Sequence, residues 1–328
     1  MKAIVQDRYG PPDVLELREI PKPAPGPGQL LVRVRAASIN ARDWHFLRGD
    51  PLLARAMAPQ LGWKAPRTTI RGSDFAGVVK ETGAGVTRFR PGDEVFGDLC
   101  PADGAFAEYA CVPEADAEHK PAGISLEEAA ALPMAGATAL RGLRDTAQVQ
   151  PGQHVLINGA SGGVGTFAIQ IAKSFGCTVT AVCRTGNADL VRSAGADHVV
   201  DYTRADFTAT GPYDVVFDLV GNRSLAELRR PLTPAGVAVL SGGGNSGNGR
   251  NSVLGPMGLF IRAKVSSRRV RILEGVSPAR ELGALRQLVE AGKLRPVIDR
   301  RYTLSQVPDA IRYMEAEHAR AKVVITVA

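Results

Sequence analysis

Two stretches of this chain carry residues whose types and spacing can do chemistry. The first is Asn158-Gly159-Ala160-Ser161-Gly162-Gly163-Val164-Gly165. Glycines at these intervals let a chain turn tightly and bring its backbone against a pyrophosphate. A helix beginning at the end of the turn adds unpaired N–H groups and partial positive charge for that anion. The second stretch is Asn40-Ala41-Arg42-Asp43-Trp44-His45. It offers an amide that can orient a substrate, a carboxylate, and an imidazole that titrates near neutral pH. The same residues also read as the start of a helix with Asn40 as its cap, His45 then being an ordinary surface residue. Both readings stay open.

The elements around the glycine turn are those that an anion site requires. Val155-Leu156-Ile157 reads as a strand before it. After it, Val164, Phe167, Ala168, Ile171, Ala172 and Phe175 fall on one helical face, and Gly176 stops the helix. The rhythm continues with a strand at Thr178–Cys183, a short helix at Asp189–Ser193 and strands at His198–Asp201 and Val215–Leu219. A helix capped by Ser224 follows, then strands at Val237–Leu240 and Val270–Leu273. Such alternation predicts a parallel sheet with helices on both faces.

The first 120 residues or so read differently. Short strands are predicted at Ala3–Val5, Leu30–Val34, Gly77–Lys80, Glu94–Phe96 and Ala107–Val112, separated by turns such as Arg90-Pro91-Gly92-Asp93. Pro21–Gly28 reads as a connecting loop. This is the pattern of an antiparallel barrel. Near the C-terminus, helices at Pro278–Ala291 and Pro308–Glu317 flank a strand at Val297-Ile298, and Val323–Val327 is a β-branched strand with no place in the parallel sheet. It is expected to return to the barrel, so that the barrel domain is discontinuous: residues 1–121 and 276–328, with the nucleotide domain at 122–275.

With 328 residues, 45% of them hydrophobic and 22% charged, the chain is long enough for about two domains of ordinary composition. No apolar run approaches a membrane span, and the N-terminus has no apolar signal region. Cys100, Cys111, Cys177 and Cys183 form no CxxC pair. These features point to a cytoplasmic protein with no membrane partner. The net charge of +7 is dispersed, which argues against nucleic-acid binding and suits attraction of an anionic cofactor.

The end of the second strand of a dinucleotide domain meets the adenosine ribose, where an acid selects a free 2′-hydroxyl. Here that strand runs into Cys183-Arg184-Thr185-Gly186-Asn187, with no acid before Asp189. A guanidinium beside neutral donors suits a phosphate dianion, which predicts NADPH over NADH.

Several segments, in order, now carry a resemblance. They are Ala37–Asp43, Gly72-Ser73-Asp74-Phe75-Ala76-Gly77-Val78-Val79, Arg90–Gly97, Gly104–Tyr109, Gly136-Ala137-Thr138-Ala139, Ser193-Ala194-Gly195-Ala196-Asp197 and Asp201-Tyr202. Along nearly its whole length the chain resembles the zinc-independent medium-chain dehydrogenase/reductases of the quinone oxidoreductase type. The resemblance implies an α/β fold with a GroES-like β-barrel catalytic domain and a doubly wound Rossmann domain. It implies hydride transfer from NADPH, a homodimer, and a small quinone or other α,β-unsaturated carbonyl as substrate. Carried over by position, Ser161, Gly162, Gly163 and Val164 line the pyrophosphate. Cys183, Arg184, Asn187 and Tyr202 surround the 2′-phosphate. Thr138 lies beside the nicotinamide ribose, unless its hydroxyl is a helix cap. Leu219, Val220 and Gly221 pack near the adenine side, Ser241 and Gly242 border the nicotinamide half, and Asn40 faces the reacting ring.

Zinc-dependent relatives place Cys, His-Glu and Cys ligands in this architecture. Here Asn40 and Ser73-Asp74 stand at the first two positions, and no Cys or His occurs near Leu132–Ala135. Asn and Ser are poor zinc ligands, so no metal is expected. Asp74 is read as holding the barrel together, and Phe75 and Phe106 as core. Without a Lewis acid, the protein must stabilise charge with hydrogen bonds and supply a proton, for which Asn40, Asp43 and His45 are the candidates. Enoyl-thioester reductases of the superfamily place a tyrosine shortly after this motif, where this chain has Arg48-Gly49-Asp50-Pro51. An enoyl-thioester reductase and an NADPH-binding protein with little catalysis remain the alternatives. Pro51–Arg67 is read as a substrate wall or a surface excursion, and Gly242–Gly249 as a loop that orders over the cofactor.

Overall fold

The computed structural model describes residues 1–49, 61–241, 269–273, 278–317 and 319–328. Asp50–Gln60 and Gly242–Arg268 lie outside the described residues, and with them the cofactor candidate Gly242, the loop Gly242–Gly249 and most of the segment beginning at Pro51. The chain divides into two compact units, one of Met1–Ala137 with Ser277–Ala328 and one of Thr138–Val276.

The first unit opens with an antiparallel pair, β1 (Lys2–Gln6) and β2 (Leu15–Glu19). The long strand β3 (Gln29–Ile39) leads into helix α1 (Ala41–Arg48), and β4 (Asp74–Thr82), β5 (Glu94–Asp98), β6 (Tyr109–Pro113) and β7 (Ala117–His119) follow. Strand β3 pairs antiparallel with β4 along its length and with β6 over its first half. Leu30, Val32, Val34, Phe75, Val95 and Phe106 meet in one core inside this curved sheet.

Helix α2 (Leu126–Ala130) has a full capping box: Ser125 Oγ accepts the Glu128 N–H, and Glu128 accepts the Ser125 N–H. Glu127 and Glu128 also pair with Arg301 and Arg295. These ties keep residues 122–137 with the barrel, so the unit boundary falls later than the break expected after residue 121. Helix α3 (Pro133–Arg141) then leads into the second unit.

That unit is the expected parallel sheet. Strands β8 (His154–Asn158), β9 (Thr178–Cys183), β10 (His198–Asp201), β11 (Tyr213–Asp218), β12 (Leu232–Leu240) and β13 (Val270–Ile272) lie in the order β10-β9-β8-β11-β12-β13. The order reverses between β8 and β11, and ligands of such sheets sit outside the strand ends at that switch point. Helices α4 (Gly163–Ser174), α5 (Ala188–Ser193) and α6 (Leu225–Arg229) supply the crossovers. Among the described residues, no helix is long and apolar enough to cross a membrane.

The chain then returns to the first unit with α7 (Leu282–Glu290), β14 (Ile298–Thr303), α8 (Val307–Glu317) and β15 (Lys322–Thr326). Strand β15 lies between β14 and β3, antiparallel to β3, with Val323 opposite Ile39 and Ile325 opposite Ala37. The β-branched strand therefore closes the barrel sheet, as its composition predicts. Ile325 is fully buried in the barrel core. Ile325→Ala should cost about 2–5 kcal/mol of stability in urea unfolding. A loss near zero would show that the last strand is dispensable to this sheet.

Candidate active site

The glycine turn begins where β8 ends. Gly159 takes φ +83°, and a Cβ on it would meet Val220 Cγ2 at 2.9 Å. A Cβ on Gly165 would lie 2.3 Å from the Gly159 carbonyl oxygen and 2.5 Å from that of Ala160. Only glycine lets α4 start this close to the strand end. Gly162 is the N-cap and has no side chain to satisfy the first turn, so the opening N–H groups of α4 have no intrahelical partners. The turn is thus a backbone cradle with an anion-binding helix terminus, as a dinucleotide pyrophosphate requires.

Beside it, the end of β9 and the end of β10 form a polar rim. Asn187 Nδ2 donates to Ser161 Oγ at 3.0 Å, which ties the rim to the glycine turn. Arg184 is exposed and donates from Nε to the Tyr202 hydroxyl at 3.0 Å. Among the described residues it makes no ion pair. Tyr202 is 47% exposed. Cys183 is buried, and its carbonyl accepts the Tyr202 N–H.

The sequence reading missed an acid here. Asp201 aligns with Cys183 across the parallel pair and reaches the same rim from the neighbouring strand. Its carboxylate is already engaged. It accepts from the Thr185 and Thr203 hydroxyls and from the Thr203 N–H, and Arg204 lies 3.7 Å away. The Thr185 hydroxyl, followed by the other Thr203 bonds, holds its pKa below the usual carboxylate value.

At the switch point a buried carboxylate organises the second loop. Asp218 Oδ1 accepts from Asn158 Nδ2 at 2.9 Å and from the N–H groups of Val220 and Gly221 at 3.1 and 3.2 Å. The Asp218 carbonyl accepts the Ser241 N–H at 3.0 Å. Leu219, Val220, Gly221 and Ser241 are therefore fixed at adjacent strand ends, each partly exposed. Thr138 sits inside α3 and is partly exposed, so the alternative of a helix-capping hydroxyl fails.

In the first unit, Asn40 caps α1, but not with its side chain. Its backbone N–H donates to Asp43 Oδ2 at 2.7 Å, while its amide turns away into a buried network. Asn40 Nδ2 donates to Asp74 Oδ2 at 2.9 Å, and Asn40 Oδ1 accepts from Lys322 Nζ at 2.6 Å. Ser38 Oγ also donates to Asp74 Oδ2, at 2.7 Å, and the Met134 N–H donates to Asp74 Oδ1, at 3.0 Å. A second buried pairing runs alongside. Arg71 is fully buried, donating to Gln6 at 2.7 Å and to Asp103 at 3.1 Å, and Asp103 also pairs with Arg42. Burial, with Asp74 close by, holds Asp98 well above the ordinary carboxylate range.

Asp43 and His45 part company with the sequence reading. Asp43 is buried, its Oδ1 has no partner, and its other oxygen serves the helix cap. His45 is two residues further along the helix, so it projects from another side. Its ring stacks on Trp44 at 3.9 Å. Lys322, Asp98, Asp201 and Asp218 were not foreseen at all. Lys322 meets Asn40 and Asp74, Asp201 meets Thr185 and Asp218 meets Asn158 only in the folded chain. Among the described residues, no three His, Cys, Asp or Glu side chains are grouped so as to hold a metal ion.

Burial raises the Asp43 pKa from its ordinary value to about 7, against the lowering effect of the Asn40 N–H. The folded protein therefore binds a proton that the unfolded chain has already lost above the ordinary carboxylate pKa. Stability falls as pH rises from about 4 to about 7. Asp43→Asn keeps an acceptor for Asn40 and removes this titration. Its melting temperature relative to wild type should rise steadily over that window. A difference independent of pH would contradict the burial of an ionisable Asp43.

The chain matches the alcohol dehydrogenase GroES-like domain over residues 26–122 and the zinc-binding dehydrogenase domain over residues 194–325. It is 33% identical to a mitochondrial NAD(P)H oxidoreductase of Bos taurus, a match that covers 100% of this chain and 89% of that protein. It is also 33% identical to a chloroplastic NADPH-dependent alkenal/one oxidoreductase of Arabidopsis thaliana, covering 99% of this chain and 79% of that one. The solved structure of the quinone oxidoreductase from Coxiella burnetii superposes with a TM-score of 0.85 at 33% identity, over 100% of this chain and 99% of its own. A barrel closed by the last strand, a glycine cradle at the switch point and identity sustained from end to end lead to one conclusion: the chain is an oxidoreductase of the medium-chain dehydrogenase/reductase family, on its quinone oxidoreductase-like branch.

Proposed function

We propose that this chain is an NADPH-dependent reductase that needs no metal and reduces a quinone or another α,β-unsaturated carbonyl. The observation that carries the cofactor choice is the rim at the end of β9. Arg184 stands exposed against Tyr202, and Asn187 and Ser161 connect it to the glycine turn. Asp201, which reaches the rim from the neighbouring strand, is occupied by Thr185, Thr203 and Arg204. A 2′-phosphate dianion would meet an exposed guanidinium there, while the nearby carboxylate is already engaged.

The residues present fit the group. Backbone N–H groups at Gly163 and Val164, with Ser161 and the close approach that Gly162 allows, would hold the pyrophosphate. Arg184, Asn187, Tyr202 and the Cys183 backbone would surround the 2′-phosphate. Leu219 and Val220 would pack beside the adenosine, and Ser241 and Thr138 would border the nicotinamide ribose. Bound NADPH supplies the hydride. The protein's part is to hold the two reactants close and to stabilise the charge that grows on the substrate oxygen.

The donor set around Asn40 supports the metal-free reading. Where a ligand would have to offer a lone pair to a cation, the Asn40 oxygen already accepts from the Lys322 ammonium at 2.6 Å. A quinone or enone, whose carbonyl delocalises the incoming electrons, is the substrate class that manages without a Lewis acid. The relatives named quinone oxidoreductase and alkenal/one oxidoreductase support that class. Asn40 is the residue we assign to the substrate oxygen. Asp43 and His45 are left out of the reacting group, the first as a buried cap and the second as a ring stacked on Trp44. A homodimer in the cytoplasm belongs to the same reading, on the resemblance and the sequence.

Two measurements test this reading. Purified protein should oxidise NADPH steadily when given small quinones or enones, and NADPH binding without turnover on any of them would favour a binding protein instead. Arg184→Ala should raise the Kd for NADPH by about 10- to 100-fold, the loss of one charge-assisted contact, and change NADH binding by less than about 3-fold. Equal losses for both coenzymes would contradict the phosphate assignment.

A further inference from the structure

We infer that Lys322, at the start of β15, is a positioning residue for Asn40: with Asp74 it locks the Asn40 amide in the orientation that leaves only a hydrogen-bond donor for the substrate oxygen. This rests on the reductase reading above.

An asparagine amide has an accepting end and a donating end of nearly equal shape, so its neighbours decide which way it points. An ammonium can only donate. Lys322 Nζ lies 2.6 Å from Asn40 Oδ1. An ionised carboxylate can only accept, and Asp74 Oδ2 lies 2.9 Å from Asn40 Nδ2. Reversing the amide would set N–H against ammonium and oxygen against carboxylate, losing two charge-assisted bonds at once. The Lys322 side chain is 2% exposed and that of Asp74 is fully buried, so water does not make up the loss.

The ammonium has no other duty open to it. Its remaining partners are the Ile39 carbonyl and Asp74 Oδ2, both at 3.3 Å, so its three protons are used. Lys322 is therefore not itself a donor to substrate. The free capacity belongs to Asn40, whose second Nδ2–H has no partner among the described residues. Asn40 is 9% exposed, at the end of β3 where the chain turns into α1. A donor fixed before the reaction begins stabilises an oxyanion without the cost of turning round.

A double-mutant cycle on the NADPH-saturated enzyme tests this. The value of kcat/KM for a 1,4-benzoquinone is measured for wild type, Lys322→Met, Asn40→Ala and the double variant. Each single change should lower it by about 10- to 100-fold, the range for losing one preorganised donor. The double variant should lose no more than Asn40→Ala alone, because a residue that acts only through Asn40 has nothing left to act on. NADPH Kd, followed by coenzyme fluorescence, should stay at the wild-type value. Losses that multiply in the double variant would overturn the inference, since a merely structural lysine gives that result. Should Lys322→Met fail to fold, Asp74→Asn replaces it in the same cycle. It is almost isosteric, no longer forbids the reversed amide, and should be equally non-additive with Asn40→Ala. A wild type that binds NADPH but turns over no quinone or enone defeats the reductase reading and this inference with it. An active wild type with multiplying losses defeats the inference alone.

Discussion

The barrel unit depends on one buried carboxylate. Asp74 collects donors from Ser38 on β3, Asn40 at the cap of α1, Met134 in α3 and Lys322 on β15. Removing a charge from water is costly, and burial is tolerated only when the partners are numerous and well placed. Satisfying Asp74 therefore obliges three separate segments to converge on the start of β4. One of them is the last strand, more than two hundred residues away in sequence. The requirement that closes the barrel is the same one that fixes the Asn40 amide.

The nucleotide unit repeats this device on a different scaffold. Asp218, fully buried at the end of β11, gathers the Asn158 amide and two backbone N–H groups of the following turn. That turn and the glycine turn after β8 lie at the two strand ends where the sheet order reverses. The hydrophobic periodicity builds the sheet, but it does not shape the loops beyond it. A single acid placed where the strand stops does so, by giving the turn's N–H groups an acceptor they would otherwise lack. In both units, then, a buried carboxylate at a strand terminus fixes the course of the chain beside it.

Much of this was legible in the sequence, for identifiable reasons. The strand–glycine–helix run from Val155 to Phe175 has both the right period and the right punctuation, and the return of Val323–Val327 to the barrel follows from β-branched residues with no place in a parallel sheet. The placing of the glycine turn, Arg184, Asn187 and Tyr202 at strand ends was legible because each lies within a few residues of a recognisable strand boundary. Lys322 was not found, because nothing local distinguishes it from any lysine at a strand start. Asp201 was missed for a related reason. The charge rule reads the residues that follow β9 in the chain, whereas the acid arrives from the adjacent strand in register with Cys183. For Asp43 and His45 both the catalytic and the helix-start reading stayed open, because residue type was visible but burial and ring stacking were not. Pairings across the sheet become visible only when register is known, and register is set by contacts that single-residue chemistry does not announce.

The account as a whole turns on the Asn40 oxygen accepting from the Lys322 ammonium, which leaves it no lone pair aimed at an ion. The most direct measurement is metal content alongside activity. Protein washed with chelator should contain far less than one zinc per chain, and its NADPH-driven reduction of a quinone should be the same with and without added zinc. One tightly bound zinc per chain, or activity that vanishes with the chelator and returns with the metal, would contradict it.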